Sequence, residues 1–403
     1  MIDLKNNNVI YVSRDLERAL AFDLDNPNYY IISNNSDFAK SLTQKNILLI
    51  NSERQLDTWE LLEHEETKNF IKNISNPQIL VFKNTRQIER ICETNSWKLL
   101  NPSAQLATFI EEKISQTKFL KDLTSLLPKF EIKLCRDIKW QNKKFILQFN
   151  RAHTGSGTFF IKNKKQLEEI TKNFPNREAK ISEYIKGPVL TSNNPLAADK
   201  TLVGNISYQI TGVKKFTDNK FSTIGNDWFL GKQILSEKQK KEYEDIVFQV
   251  GEKMRASGWQ GLFGVDVIMD EKTGKLYLLE INARQPASTT YESTLQRYFQ
   301  KDRNQITVFE AHLLALLENK IDSELITITD GAQILRRILK NKKNKLVEKQ
   351  LQKIKDKFNL NVILYQNEKE NSELARFQTK THFLKKHNKI NRLAKKIKKI
   401  SAI

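Results

Sequence analysis

The sequence predicts an α/β protein with more than one domain, and three observations support this prediction. At 403 residues the chain is long enough for two or three domains with sizeable cores. Up to about residue 101, short β-forming runs alternate with polar helical segments, which predicts a small open sheet with helices on its faces. Further on, apolar strands joined by short turns alternate with long amphipathic helices, as in Glu237–Ala256.

The predicted elements follow that alternation. In the first part of the chain, strands are expected at 9–12, 29–33, 47–50, 79–82 and 97–100, and helices at 58–74 and 85–93. A long helix is expected over 103–127, ending before Pro128. Later elements are expected as strands at 144–149, Thr158–Ile161, 202–209, 223–228, 332–339 and 360–365, with helices at 308–317 and 345–358. The first part has no G-x-G-x-x-G sequence, so no dinucleotide site is predicted there.

Composition excludes several classes of protein. No apolar run approaches the roughly 18 residues of a membrane helix, and the N-terminal residues show no secretory signal, so a cytoplasmic location is expected. Cys92 and Cys135 have no pairing pattern and are expected to be ordinary thiols. The net charge of +20 would attract polyanions, but a coding bias towards lysine and asparagine explains it equally well.

A pair of predicted strands in the third quarter of the chain carries the most informative polar residues. Glu280, Asn282 and Arg284 occupy alternate positions, so they point to one face of a strand. If the chain turns at residues 270–274, Asp266 lies across from Glu280. Two carboxylates, an amide oxygen and an arginine suit Mg²⁺ bound to a nucleotide. The alternative is a half-buried hairpin whose polar residues face water, although carboxylates on such apolar strands are costly unless paired or metal-bound.

These strands resemble the signature of the ATP-grasp superfamily, in which a glycine and an acidic residue on one strand precede Glu-x-Asn-x-Arg on the next. The matching residues are Gly264, Asp266, Glu280, Asn282 and Arg284. The resemblance implies that Asp266, Glu280 and Asn282 hold the Mg²⁺ ions of MgATP, with Mn²⁺ as a possible substitute. It implies that Arg284 has the catalytic role of contacting the transferring phosphate or the acyl intermediate.

The resemblance also implies a domain organisation. A Rossmann-like pre-ATP-grasp domain is expected over residues 1–115, and an ATP-grasp domain of two α+β subdomains over 116–320. The remaining residues, 321–403, form a basic C-terminal extension.

A loop with two glycines lies between the strands predicted at 144–149 and Thr158–Ile161. A loop of this kind can present backbone N–H groups to a phosphate, and a simple hairpin turn has the same composition. By its position the loop resembles the family's flap over the ATP phosphates. The residues matched to that flap are Thr154, Gly155, Ser156 and Gly157.

Two lysines of the family's nucleotide site have uncertain equivalents in this chain. The family usually has a lysine on the strand that enters the flap, whereas this chain has Gln148 there. Arg151 or a neighbouring lysine is the available substitute. For the second lysine, Lys118 is the first candidate and Lys113 the next.

The segment that ends before Gly187 resembles the family's hinge, where backbone groups read the edge of adenine. The resemblance assigns Glu183, Tyr184 and Ile185 to the nucleotide site, with Glu183 near the exocyclic amine. The alternative for Glu183 is a surface position on an edge strand. The family's ribose-binding acid is missing after Gly187, where only hydroxyl and amide side chains follow.

The C-terminal segment is strongly basic. After Glu373 there is no acidic residue, and apolar residues recur at roughly helical spacing. Such a tail could touch RNA or an anionic surface, but a terminal helix packed on the protein with a solvated lysine face is favoured.

Taken with these residues, the resemblance implies an ATP-dependent carboxylate–amine or carboxylate–thiol ligase. A carboxylic acid would attack the γ-phosphate of ATP to give an acyl phosphate and ADP, and an amine or another nucleophile would then displace phosphate. Such chemistry depends on positioning and electrostatic stabilisation, so it needs no catalytic histidine or cysteine; His312 is expected in the core. The alternatives are a catalytically impaired nucleotide-binding protein and, less favoured, an RNA- or surface-binding protein.

Overall fold

The structure is a computed structural model that describes residues 2–42, 44–150, 157–340 and 348–400. Its strands, in chain order, are β1 Asn8–Ser13, β2 Tyr29–Asn34, β3 Ile47–Ile50, β4 Pro77–Val81, β5 Lys98–Leu99, β6 Phe130–Leu134, β7 Phe145–Phe149, β8 Thr158–Ile161, β9 Glu178–Glu183, β10 Val189–Leu196, β11 Ser207–Thr211, β12 Thr223–Asp227, β13 Gly261–Met269, β14 Leu276–Asn282, β15 Ala332–Arg337, β16 Asn361–Leu364, β17 Glu373–Thr379, β18 Leu384–Lys386 and β19 Lys389–Ile390.

The helices are α1 Asp37–Lys40, α2 Thr58–Glu63, α3 Glu65–Lys72, α4 Arg86–Thr94, α5 Ala104–Glu111, α6 Ser115–Leu120, α7 Lys164–Asn173, α8 Trp228–Ile234, α9 Glu237–Ala256, α10 Thr289–Phe299, α11 Val308–Leu316, α12 Glu348–Phe358 and α13 Arg392–Ile400. Short 3₁₀ segments lie at Leu16–Ala19, Lys121–Leu126 and Cys135–Asp137. None of the helices in these ranges is long and apolar enough to cross a membrane.

The first sheet is parallel, with the strand order β3-β2-β1-β4-β5. Val9 and Tyr11 enter the hydrophobic cluster on one face, while Ile10 and Val12 enter the cluster on the other. This alternation is what a strand buried on both faces requires. The α/β prediction is confirmed. The single helix predicted over 58–74 is instead divided, because the extended backbone of His64 separates α2 from α3.

The long helix predicted over 103–127 is also wrong. Helix α5 stops because Glu112 is extended, with φ −69° and ψ 140°. The chain restarts as α6, where Asn150 Oδ1 accepts a hydrogen bond of 2.8 Å from the Ile114 amide. A tertiary contact therefore overrides the local helical pattern, and the break sets Lys113 between two helices.

A small antiparallel sheet follows, with the order β6-β9-β7-β8. Leu147, Phe149 and Ile161 from this sheet form a core with Leu167 of α7. This unit corresponds to the first of the two α+β subdomains that were expected.

The large sheet is antiparallel and has the order β14-β13-β10-β11-β12-β15-β17-β16. Helix α9 lies against it and buries Tyr243, Val247 and Val250 in one core with Val265 and Leu278 of the sheet. Because β15, β16 and β17 belong to this sheet, residues after 320 extend it. The domain boundaries at 115/116 and 320/321 stay predictions.

The basic C-terminal helix packs on the protein, as favoured from the sequence. Leu393, Ala394 and Ile397 of α13 are buried in the main core, whereas Lys395 and Lys399 are exposed. Burial of the apolar side leaves lysines as the solvated face of this helix.

Candidate active site

Four of the five signature residues lie on two adjacent antiparallel strands, and Arg284 follows two residues after the end of β14. Asp266 of β13 is directly opposite Glu280 of β14, and Gly264 is opposite Asn282. A bulge follows Asp266, and the two strands resume pairing at Val267. The sequence therefore correctly predicted that these carboxylates lie side by side.

Basic side chains surround the carboxylates. Lys113 Nζ lies 2.6 Å from Glu280 Oε1. Arg284 Nη2 donates a 2.9 Å hydrogen bond to Asn282 Oδ1, and Arg284 Nε lies 3.0 Å from Glu111 Oε1. Arg284 is thus held between the amide of a proposed metal ligand and a carboxylate that the sequence analysis did not select.

The two facing carboxylates have opposite pKa shifts. Burial raises the pKa of Asp266 to about 6, with a further contribution from the charge of Glu280, while hydrogen bonding by Gln209 and Thr191 opposes the rise. Burial also opposes ionisation of Glu280, but Lys113, Arg284 and Lys180 outweigh it and lower its pKa. The pair therefore holds one firmly ionised carboxylate beside one that is readily protonated.

The donor set fits a hard divalent cation that shares its ligands with a substrate. Asp266 Oδ1 is buried and has no hydrogen-bond partner among the described residues. Within the same ranges, no group of three His, Cys, Asp or Glu side chains converges on a metal position. A Mg²⁺ ion here would take oxygens from Asp266, Glu280 and Asn282 and complete its shell with phosphate and water.

The residues matched to the flap are only partly described. Thr154, Gly155 and Ser156 lie outside the described residues. Gly157 lies inside them, and its carbonyl oxygen accepts a 3.0 Å hydrogen bond from the Phe149 amide. The role of the flap stays a prediction.

The structure separates the two lysine candidates. Lys118 is exposed on α6, and none of the contacts described above involves it. Lys113, the second candidate, makes the ion pair with Glu280. The reason is the break after α5, which places Lys113 between two helices and beside the carboxylates.

Gln148 occupies β7 and is half-buried, with its Nε2 donating a 3.3 Å hydrogen bond to Thr158 Oγ1. The residue directly across from it on β9 is Lys180, whose side chain is only 3% exposed. Burial and, to a smaller extent, the nearby charge of Lys113 lower the pKa of Lys180 to about 8, and Glu280 opposes the change. The sequence analysis did not select Lys180; its one signal was a charged residue between the apolar residues Ala179 and Ile181.

The hinge residues lie where the chain passes from the small sheet to the large one. Glu183 is exposed, and its amide donates a 2.9 Å hydrogen bond to the Lys129 carbonyl. The Tyr184 ring lies 4.3 Å from that of Phe160, and Ile185 is half-buried. The nucleotide roles of Glu183, Tyr184 and Ile185 stay predictions.

Close approach of the hinge segment to β13 explains Gly187. A Cβ atom there would lie 1.7 Å from the Met269 carbonyl oxygen, so only glycine fits. Met269 N in turn donates a 3.0 Å hydrogen bond to the Pro188 carbonyl. The hinge segment is thereby tied to β13, the strand that carries Asp266.

Other sequence predictions concerned reactive side chains. His312 is 3% exposed, its Nδ1 accepts a 2.9 Å hydrogen bond from the Leu262 amide, and burial lowers its pKa to about 3. Its place in the core is confirmed. Cys92 and Cys135 are buried and unpaired in disulfides, and burial raises both thiol pKa values.

Two adjacent sheets, a hinge between them, and carboxylates and cations gathered on one pair of strands define an ATP-grasp type of architecture. A family model described as the ATP-grasp domain matches residues 110–288. The chain contains an ATP-grasp domain, as the signature residues predicted.

Solved structures agree with this assignment over almost the whole chain. N5-carboxyaminoimidazole ribonucleotide synthetase from Thermotoga maritima has a TM-score of 0.63 at 16% identity, covering 97% of each chain. The Staphylococcus aureus N5-carboxyaminoimidazole synthetase complexed with ADP has a TM-score of 0.64 at 14% identity, covering 98% of this chain and 96% of that one. L-amino acid ligase from Bacillus licheniformis has a TM-score of 0.62 at 14% identity, covering 94% of each.

At these identities the likeness establishes the fold. No curated protein matches the chain. The predicted architecture, a Rossmann-like domain followed by an ATP-grasp fold, is confirmed.

Proposed function

We propose that this protein is an ATP-dependent ligase that activates a carboxylic acid as an acyl phosphate and joins it to an amine, releasing ADP and phosphate. The observation that carries the proposal is the convergence of Asp266, Glu280, Asn282, Arg284 and Lys113 on one site. The structural relatives add support, because their names describe a synthetase bound to ADP and an amino acid ligase.

The side chains supply what phosphoryl transfer requires. A Mg²⁺ ion held by Asp266, Glu280 and Asn282 would neutralise charge on the phosphates. Lys113 and Arg284 add positive charge on the protein side, and each is already oriented by a carboxylate, Glu280 or Glu111. The acid substrate is ionised at neutral pH, so its attack on the γ-phosphate needs alignment and no general base.

A small cavity lined by both polar and apolar residues is the proposed place for one end of a substrate. It has a volume of about 80 Å³ and is lined by Glu17, Arg18 and Arg376, among others. The Phe82 ring lies between this cavity and the site of the signature residues. The Cζ atom of Arg18, which lines the cavity, is 5.0 Å from the ring centre, and the Cζ atom of Arg284 is 5.8 Å from it. Carboxylates and guanidinium groups side by side suit a small molecule with both amine and acid groups.

The test is ADP release in the presence of Mg²⁺ across a panel of carboxylic acids with and without amines. Hydroxylamine should trap the acyl phosphate as a hydroxamate when the correct acid is present. Acid-dependent ADP and hydroxamate formation supports the proposal. MgATP binding without ADP release under any acid would favour the impaired nucleotide-binding protein, an alternative motivated by Gln148 in place of the usual lysine.

A further inference from the structure

The sheet register places a buried lysine beside the glutamine that breaks the family pattern. Lys180 on β9 is directly opposite Gln148 on β7 and, on its other side, Ile132 on β6. Residues directly opposite in an antiparallel pair share one face and have Cβ atoms about 5 Å apart. A long side chain at Lys180 can therefore reach the region that a side chain at Gln148 reaches.

The shared face looks towards β13 and β14, and the space between that face and these two strands is called the cleft below. Lys180 Nζ lies 5.4 Å from the centre of the Phe130 ring, and Phe130 packs against the core that contains Val265 and Leu278 of the large sheet. The charges of Lys113 and Glu280 in that sheet's cluster both act on Lys180. Lys133, next to Ile132 on β6, points to the other face and pairs with Glu131 at the half-exposed surface. Lys180 is thus the lysine of these two strands that faces the cleft between the sheets.

Lys180 has no carboxylate partner among the described residues. Lys113, Lys180 and Arg284 supply three positive charges. Lys113 already pairs with Glu280 and Arg284 with Glu111, whereas Lys180 is 3% exposed and makes no ion pair in the described part of the chain. Burying a lysine beside another lysine is costly unless negative charge is placed nearby. Glu280 is already bound by Lys113 at 2.6 Å. A polyphosphate in the cleft would supply the missing charge.

We propose that Lys180 provides, from the neighbouring strand, the phosphate-contacting cation that Gln148 cannot provide. Lys180 contacts the α- or β-phosphate of the nucleotide, and Gln148 serves as its neutral neighbour. The ATP site is then complete with the lysine relocated by one strand, and the glutamine does not mark a lost activity. This inference rests on the proposed function, because it assumes that MgATP binds in the cleft.

The test measures binding of MgADP and MgATP by calorimetry to four full-length proteins: the wild type, Lys180→Gln, the exchanged pair Lys180→Gln with Gln148→Lys, and Lys133→Gln. Losing one charge-assisted contact should weaken MgADP binding about tenfold to a hundredfold in Lys180→Gln. The exchanged pair should regain most of that affinity, because the cation returns to the same face. Lys133→Gln is the matched control and should bind like the wild type.

Adenosine separates a phosphate contact from a general defect. Its affinity should be the same for the wild type and Lys180→Gln, and thermal melting should show that every variant folds. Wild-type affinity for MgADP in Lys180→Gln would overturn the inference. So would an exchanged pair that folds but binds no better than Lys180→Gln. A wild type that binds no MgATP would instead reject the proposed function itself, and this inference with it.

Discussion

Replacing Glu280 with glutamine should remove ligase activity while leaving the fold intact. The substitution keeps the shape of the side chain but removes the charge that Lys113 contacts at 2.6 Å. Losing a charge-assisted contact of this kind costs about 1.5–3 kcal/mol. It also removes a proposed metal ligand, and since losing even an outer-shell partner of a metal costs about 10- to 100-fold, we expect ADP formation to fall by at least about 100-fold.

The same substitution should change the protonation of Asp266. Burial is the main cause that raises its pKa to about 6, and Glu280 is the next. Without the charge of Glu280 the pKa should fall part of the way towards its usual value, because burial remains. Carbon-13 NMR of labelled aspartate in the metal-free protein can follow this titration.

The assay is acid-dependent ADP release, measured beside MgADP binding and thermal melting. Glu252→Gln is a suitable control, because Glu252 pairs with Arg255 on the exposed side of α9 at 2.7 Å. The control should retain wild-type turnover. Normal turnover in a folded Glu280→Gln protein would refute the assignment of Glu280 to the metal site.

Three further predictions concern stability. Glu292 is 1% exposed, and burial raises its pKa to about 8. The folded state therefore retains a proton that the unfolded state loses above about pH 4.5, and the free energy of unfolding should fall as the pH rises to 8. Glu292→Gln, still bonded to Asn193, should have a free energy of unfolding about 4 kcal/mol above that of the wild type near pH 8 and equal to it near pH 4, as measured by denaturant titration. Glu373 lies 3.0 Å from Arg376 and has a pKa of about 2. Arg376→Met removes this partner from a buried carboxylate and should lower the free energy of unfolding by about 3–5 kcal/mol. An unchanged midpoint of unfolding in urea would contradict this. Ile397→Ala in α13 should cost about 2–5 kcal/mol, because its side chain is fully buried, and a loss below 0.5 kcal/mol would show that the basic helix is not docked.

Local patterns predicted the elements whose burial is regular. The first sheet was predicted because short β-forming runs alternate with polar helical segments, and α9 was predicted at its observed bounds because one face carries Tyr243, Val247 and Val250. β13 and β14 were recognised as apolar strands joined by a short turn. The position of Asp266 opposite Glu280 followed from the turn that joins them.

Elements with buried polar residues were missed. Strand β10 contains Asn193 and Asn194, which suit a loop in isolation. In the fold, Asn194 Oδ1 accepts a 3.0 Å hydrogen bond from the Gly204 amide, and Asn193 donates one of 2.9 Å to Ser288 Oγ. Partners distant in sequence satisfy these groups, so no local pattern could reveal the strand.

Only part of the candidate site was predicted, because some of its residues come from segments far apart in the chain. Residues at alternate positions of one strand could be grouped from sequence, as with Glu280 and Asn282. Lys180 lies near the site because of how β9 pairs with β7 in a different sheet. Lys113 lies there because the helix breaks at a point where Asn150 accepts a backbone hydrogen bond. Both depend on contacts between segments far apart in the chain, and spacing alone carries no information about them.

The central claim is that Asp266 and Glu280 hold the divalent cation of a bound nucleotide, and anomalous scattering tests it directly. Crystals grown with Mn²⁺ and ADP, measured at the manganese absorption edge, should show a peak between these two carboxylates with nucleotide phosphate beside it. Nucleotide bound in the cleft with no manganese at Asp266 and Glu280, or manganese bound elsewhere, would contradict the account.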